Sequence, residues 1–213
     1  YANEVFTATA TLRDTRLANA GVAGKTVAFV YNAQTKNGTT DGSGVATATF
    51  DAGANSGVLG YTATFGGDTT YAGSNDAAKT VTVQVRPTSV LAVSMPGIYA
   101  NEVWTATATL RDTRLANAGV SGKTISFVYQ SVTKTADTDG SGVAVITYNA
   151  GLSSGTYGYT ASWAGDTTYG ASLDNTKTVS VTPRPTTVTA VSATNVYTLS
   201  VWTATATLRD GIT

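Results

Sequence analysis

The chain has 213 residues, 13 Lys+Arg against 13 Asp+Glu, no Cys and no His. Its length allows one or two domains, and its thin, balanced charge offers no basic surface for nucleic-acid phosphates or an anionic membrane. Without Cys or His the usual metal ligands, thiol nucleophiles and histidine bases are missing, so no enzyme is expected and the core stands without disulfides.

No apolar run reaches the roughly 18–20 residues of a transmembrane helix, and no signal peptide is visible. Forty-two threonines, with many short Thr- and Val-rich runs separated by Gly, Asp and Asn, predict an all-β chain. No stretch reads as an amphipathic helix.

The first element is a ten-residue strand, VFTATATLRD at Val5–Asp14, which returns as VWTATATLRD at Val103–Asp112 and Val201–Asp210. The aromatic residue, the alanines and the leucine alternate with Val, Thr and Arg, the period of a half-buried strand. Tyr1–Ile98 aligned without gaps on Tyr99–Val196 gives 63 identities in 98 positions. A repeat this long predicts whole domains in series rather than a solenoid, whose units run roughly 20–50 residues. It is also large enough for its own core.

The second repeat shows the complete order. A strand at Thr88–Ser94 follows Arg86-Pro87, and Val103–Arg111 comes next. Asp112–Gly122 is a loop, and Lys123–Tyr129 sets Ile125, Phe127 and Tyr129 on one face. A polar stretch with a short edge strand leads to the turn Asp139-Gly140-Ser141-Gly142. Val143–Tyr148 turns Ala144, Ile146 and Tyr148 inward. Thr156–Trp163 places Tyr157, Tyr159, Ala161 and Trp163 on one side. The turn Gly165–Tyr169 and the strand Lys177–Val181 close it. About seven strands at turn intervals of roughly 8–12 residues predict an immunoglobulin-like sandwich.

The order NxGVxGKTVxF at Asn19–Phe29 and, with Ile125 for its second valine, at Asn117–Phe127, then TDGSGVA at Thr40–Ala46 and Thr138–Ala144, then the segment from Gly155-Thr156-Tyr157 to Tyr169, resembles the bacterial Ig-like (Big) domain repeats. Repeat one departs from that pattern with Val58-Leu59 in place of Thr156-Tyr157. The resemblance implies tandem immunoglobulin-like sandwiches in extracellular stalks, adhesins and spacers, without catalysis. It also implies borders: residues 1–85 as a domain lacking its first strand, 86–183 as a complete one, and 184–213 as the first two strands of another. The chain is then expected to continue at both ends. Short proline linkers, Val85-Arg86-Pro87 and Pro183-Arg184-Pro185, predict a stiff end-to-end rod.

Candidate sites are few. Asp137 and Asp139 open a D-x-D-G segment that resembles the start of a calcium loop, but Tyr148 occupies the twelfth position and Thr39 replaces Asp137 in repeat one. A turn held by Asp and Gly is the simpler reading, as it is for Asp68 and Asp166. An intramolecular Lys–Asn crosslink beside Glu4 or Glu102 lacks a lysine on the first strand and an asparagine on the last. Trp104, Trp163, Tyr157, Tyr159 and Phe127 are expected in the core rather than on a sugar platform, leaving Tyr71 and Tyr169 as turn aromatics. Asn37-Gly38-Thr39 is an N-glycosylation acceptor in an exposed loop.

The expected function is a non-enzymatic extracellular structural protein, a stalk, fibre or filament at the cell surface, without cofactors. Its expected partners are neighbouring copies of the same repeat, with strand 184–193 supplying the part missing before Tyr1. The alternative is an adhesin that binds a glycan or protein through unequal loops, Asn32–Asn37 against Gln130–Thr135 and Ala54–Leu59 against Leu152–Tyr157.

Overall fold

A computed structural model describes residues 1–192 and 196–212. It is all β, with no helix among the described residues and thus none able to cross a membrane. The first repeat contributes β1 (Val5–Thr11), β2 (Arg13–Asp14), β3 (Ala20–Gly21), β4 (Thr26–Tyr31), β5 (Gln34–Thr39), β6 (Val45–Asp51), β7 (Gly57–Phe65) and β8 (Ser74–Val83). The second contributes β9 (Thr88–Ala92), β10 (Met95–Tyr99), β11 (Val103–Asp112), β12 (Ala118–Gly119), β13 (Thr124–Tyr129), β14 (Val132–Asp137), β15 (Val143–Asn149), β16 (Gly155–Trp163) and β17 (Ser172–Thr182). Two further strands, β18 (Thr186–Ala190) and β19 (Ala206–Asp210), pair with each other. Of the expected strand 184–193, Ala193 lies outside the described residues, as does Thr213 of the segment 184–213.

The chain forms two compact units. One comprises Tyr1–Thr88 with Asp112–Asn117 and Ala164–Ala171; the other comprises Ser89–Arg111, Ala118–Trp163 and Ser172–Thr213. In the first unit a four-stranded sheet runs β5-β4-β7-β8, and β1 pairs antiparallel with β6. Phe6 of β1 meets Tyr31 of β4 edge-on at 4.9 Å and lies stacked on Phe50 of β6 at 5.9 Å, which makes the arrangement sandwich-like.

In the second unit the larger sheet runs β10-β17-β16-β13-β14, facing β12-β11-β15 with β9 added along β11. Trp104 takes the place of Phe6, edge-on to Tyr129 at 5.2 Å and stacked with Tyr148 at 5.7 Å. Ile125, Phe127 and Tyr129 are buried as their alternation predicts, and so are Ala144 and Tyr148; Ile146 is half-buried. The buried tyrosines keep a partner for their hydroxyls: Tyr129 donates to the Ala150 carbonyl at 2.9 Å and Tyr31 to that of Ala52 at 2.7 Å.

Two strands depart from expectation. β17 begins at Ser172 rather than Lys177, carried past a register shift opposite Tyr159 and Ala161. β10 crosses from the β9 side to pair in parallel with β17, with Met95 opposite Val179 and Tyr99 opposite Thr182. Its Met-Pro-Gly-Ile-Tyr sequence lacks a strand signature, and Pro96 is tolerated because β10 is the sheet edge.

The Asp-Gly-Ser-Gly turns are held by their aspartates. The Asp139 carboxylate accepts from the Ser141 and Val143 amides at 2.8 and 2.9 Å, and Asp41 does the same for Ser43 and Val45. Gly142 follows at φ +80°, a left-handed conformation that suits glycine. Asp139→Ala is expected to cost about 1–2 kcal/mol in a urea melt, with the loss of two backbone hydrogen bonds.

Candidate functional site: an arginine–aspartate joint and an open groove

The residues singled out by sequence do not converge. Asp137 accepts from the Thr124 hydroxyl at 2.6 Å while Asp139 is engaged by its own turn, and among the described residues no group of three or more acidic side chains is placed to hold a metal. Asp68 and Asp166 cap their turns, each accepting from two backbone amides at 2.7–2.8 Å. Asp68 also receives the Lys25 ammonium at 2.6 Å, and that hydrogen bond first, with those amides, holds its carboxyl at about 2.

Trp104, Phe127 and Tyr159 are buried; Tyr157, Trp163, Tyr71 and Tyr169 are half-buried. Asn37 is exposed, but it sits on β5 opposite Ala28 rather than in a loop. Glu4 and Glu102 occupy equivalent strand entrances with different partners: Glu4 accepts from Arg114, Glu102 from the Tyr99 amide.

What the structure assembles instead is a joint around Arg86. Arg86 is 6% exposed and its Nε donates to Asp112, itself 2% exposed, at 2.5 Å. Nη1 donates to the Ala2 carbonyl at 3.2 Å. Asp112 also accepts from the Arg114 and Leu115 amides, so the loop that follows β11 is fixed by the same carboxylate.

Arg114 reaches back to Glu4 at 3.0 Å and lies over the Tyr1 ring at 4.2 Å. The Arg114 hydrogen bond, and after it the opposing cost of burial, sets the Glu4 pKa below its ordinary value. Around this pair the backbone is stitched: Arg86 N donates to Thr168 O at 2.7 Å, Gly170 N to Arg86 O at 2.9 Å, and Ser56 N to Thr167 O at 2.9 Å. The Ala54–Ser56 part of the unequal Ala54–Leu59 segment is thus occupied by the Gly165–Tyr169 turn, with the Thr168 hydroxyl donating to Ala54 O at 2.7 Å, while Gly57–Leu59 belong to β7.

The ion pair and one of its backbone hydrogen bonds recur 98 residues on, with Arg184 and Asp210 partly exposed. Arg184 donates to Asp210 at 2.6 Å, and Gly211 N donates to Pro185 O at 2.7 Å where Thr113 N donates to Pro87 O. By sequence alone Arg86-Pro87 and Arg184-Pro185 read only as parts of linkers. The RPT…LRD pairing at a constant separation of 26 residues was the available signal.

The first repeat has an open groove where the second is filled. In the second, β9 lies along β11; Val93 N donates to Thr107 O at 3.1 Å, the Ala92 amide donates to Asp174 at 3.0 Å, and the Tyr159 hydroxyl donates to the Val93 carbonyl. Ala108, Leu110, Tyr159 and Asp174 are buried beneath these strands. Their counterparts Ala10, Leu12 and Tyr61 are half-buried and Asp76 is exposed. Thr9–Leu12, Phe65 and Asp76 line a cavity of about 320 Å³, and Leu12, Asp14, Arg16 and Thr70–Ser74 line an adjoining one of about 440 Å³.

Asp174 makes the filled groove sensitive to acid. Burial alone would raise its carboxyl, but the Thr176 hydroxyl, the Ala92 and Thr176 amides and the Lys177 ammonium outweigh it and hold the pKa at about 2. A carboxyl held below its unfolded value of 3.8 contributes stability in full above that pH and loses it as the pH falls toward 2. Melting temperatures taken through this window are expected to drop, and less steeply in Asp174→Asn.

No protein-family model matches the chain, and no curated protein matches it. Solved structures do. A tetra-tandem repeat from the extending region of a large adhesion protein aligns at 14% identity and a TM-score of 0.43, over 88% of this chain and 52% of that one. A bacterial ice-binding adhesin aligns at 12% identity and 0.38, over 89% and 62%. FdeC, an Escherichia coli adhesin, aligns at 21% identity and 0.38, over 99% and 70%. The chain spans less than two thirds of the first two. At these identities and TM-scores they are likenesses only.

Proposed function

We propose that this chain is a non-enzymatic structural protein of the cell exterior, built of tandem immunoglobulin-like sandwiches set end to end as a stalk, fibre or filament. The borders proposed are residues 1–85, 86–183 and 184–213. The observation that carries the reading is the joint: a buried Arg86–Asp112 pair, stitched by backbone hydrogen bonds, that returns as Arg184–Asp210. A connection this short, with proline after the arginine, restricts bending. An arginine–aspartate pair repeated at a fixed spacing suits a chain whose work is to hold repeats in series.

The motif likeness to bacterial Ig-like repeats supports the same reading, and no cofactor is needed for it. A loop-based adhesin is supported less well, because the Ala54–Ser56 loop is spent on the joint. Small-angle X-ray scattering of the full chain, with a glycan array on the same sample, tests the proposal. An elongated particle that binds no glycan is expected; a collapsed particle, or saturable glycan binding, would sink it.

A further inference from the structure

We infer that the parallel pair β10–β17 is a mechanical clamp, the element that carries tension passed along the chain through the second repeat. The inference rests on the serial-repeat reading above and deepens it by naming the strands that bear the load.

Tension enters a repeat through its first strands and leaves through its last. In the second repeat the chain arrives in β9, and at Val93-Ser94 it switches from the sheet of β11 to the sheet of β17. β10 then lies along β17, the strand by which the chain leaves, with Met95 opposite Val179, Ile98 opposite Val181 and Tyr99 opposite Thr182. The two strands are parallel. A pull on the N-terminal end of β10 and the C-terminal end of β17 therefore acts in opposite senses along one axis. It slides the strands past each other and loads the hydrogen bonds between them together. An antiparallel hairpin such as β13–β14, pulled at its two ends, opens one bond after another instead.

Side chains extend the clamp beyond its ladder. The Thr178 amide donates to the Ser94 hydroxyl at 3.3 Å, the Thr182 hydroxyl donates to the Ile98 carbonyl at 3.3 Å, and the Ala100 amide donates to the Thr182 carbonyl at 2.9 Å. β17 itself is anchored from behind. Val179 and Val181 are buried, and β16 pairs with β17 from Gly155 opposite Val181 to Trp163 opposite Ser172. β10, at the sheet edge, is thus the strand that yields. The bond that closes the pair is built in the first repeat too, where the Ala2 amide donates to the Gln84 carbonyl at 2.9 Å.

The test is single-molecule force spectroscopy on the full chain, held at its C-terminus and at one introduced cysteine, the only thiol in the chain. With the cysteine at exposed Leu91, the load passes through Val93-Ser94 and runs along β10 and β17. With it at exposed Thr133, on the edge strand β14, the load runs across the strands, since Val132, Tyr129, Tyr159 and Lys177 lie level in the sheet. At equal load, unfolding is expected to be slower along the strands than across them. In the Leu91 geometry, Ser94→Ala with Thr182→Val should unfold about tenfold faster, the effect of two hydrogen bonds lost from the barrier. Asp139→Ala also forfeits two backbone hydrogen bonds, but in a turn off that path. It should lower equilibrium stability and leave the loaded rate unchanged. Equal rates in the two geometries overturn the proposal. So does a clamp variant no faster than its parent, or an Asp139→Ala chain that accelerates as much as the clamp variant. An elongated chain that binds no glycan would leave the structural function standing while the clamp failed; saturable glycan binding would remove that function while the loaded rates still decided the clamp.

Discussion

Asp112→Ala is expected to destabilise the unit that contains it by about 3–5 kcal/mol, because it leaves the Arg86 guanidinium buried without its counter-ion. Two further losses fall in the same direction, the amides of Arg114 and Leu115 that the carboxylate receives. The reverse change, Arg86→Met, is expected to cost less. It leaves Asp112 with those two backbone donors and replaces a charge with an apolar side chain of similar length. Arg86→Met with Asp112→Leu should recover part of the Asp112→Ala loss, since an apolar pair of similar volume is often as stable as a buried ion pair. Guanidinium denaturation of the three variants checks the ordering. A double variant less stable than Asp112→Ala would mean that Arg86 contributes through more than its pairing with Asp112, by its hydrogen bond to the Ala2 carbonyl and the packing of its stem. By contrast, the partly exposed Arg114–Glu4 pair is expected to contribute little to stability, because water and salt screen it.

The second large effect is expected at Trp104. Its indole is 2% exposed and touches Tyr129, Tyr148 and Tyr159, so Trp104→Ala leaves a cavity between the two sheets and is expected to cost about 3–5 kcal/mol. Trp104→Phe should cost about 1 kcal/mol or less, for two reasons visible in the structure. The Trp104 Nε1 is buried without a hydrogen-bond partner, so removing it forfeits no bond. Phe6 already fills the equivalent place in the first repeat with the same ring geometry, 78° to Tyr31 and 26° to Phe50 against 79° and 26° for Trp104. Thermal melts of the two variants separate volume from polarity. Equal losses in both would mean that the first repeat's phenylalanine depends on compensations that the second repeat lacks.

Much of the strand pattern follows from alternation within single segments. VWTATATLRD puts Trp104, Ala106, Ala108 and Leu110 inward, and all four are buried. Ile125, Phe127 and Tyr129 behave alike. The elements that escaped are those whose reason lies elsewhere in the chain. The β13–β14 hairpin turns at Gln130 and Ser131, with φ of 46° and 63°, and β4–β5 at Asn32 and Ala33, with 46° and 60°. These are conformations that glycine or asparagine announces; of the four only Asn32 is of that kind, and the strands impose them on Ala33, Gln130 and Ser131. β10 is a strand only because β17 offers it an edge.

Composition, the repeat of 98 residues and local alternation determined by themselves that this protein is all β, built in copies, and poor in catalytic groups. Each of those properties is carried by neighbours in sequence or by residue type. Tertiary structure alone decided that Arg86, read as part of a linker, is the buried centre of a joint. It also decided that identical residues such as Leu12 and Leu110 lie half-open in one repeat and closed in the other. The physical reason is that burial and charge pairing belong to whatever strand lies across a residue, and that strand can come from far along the chain.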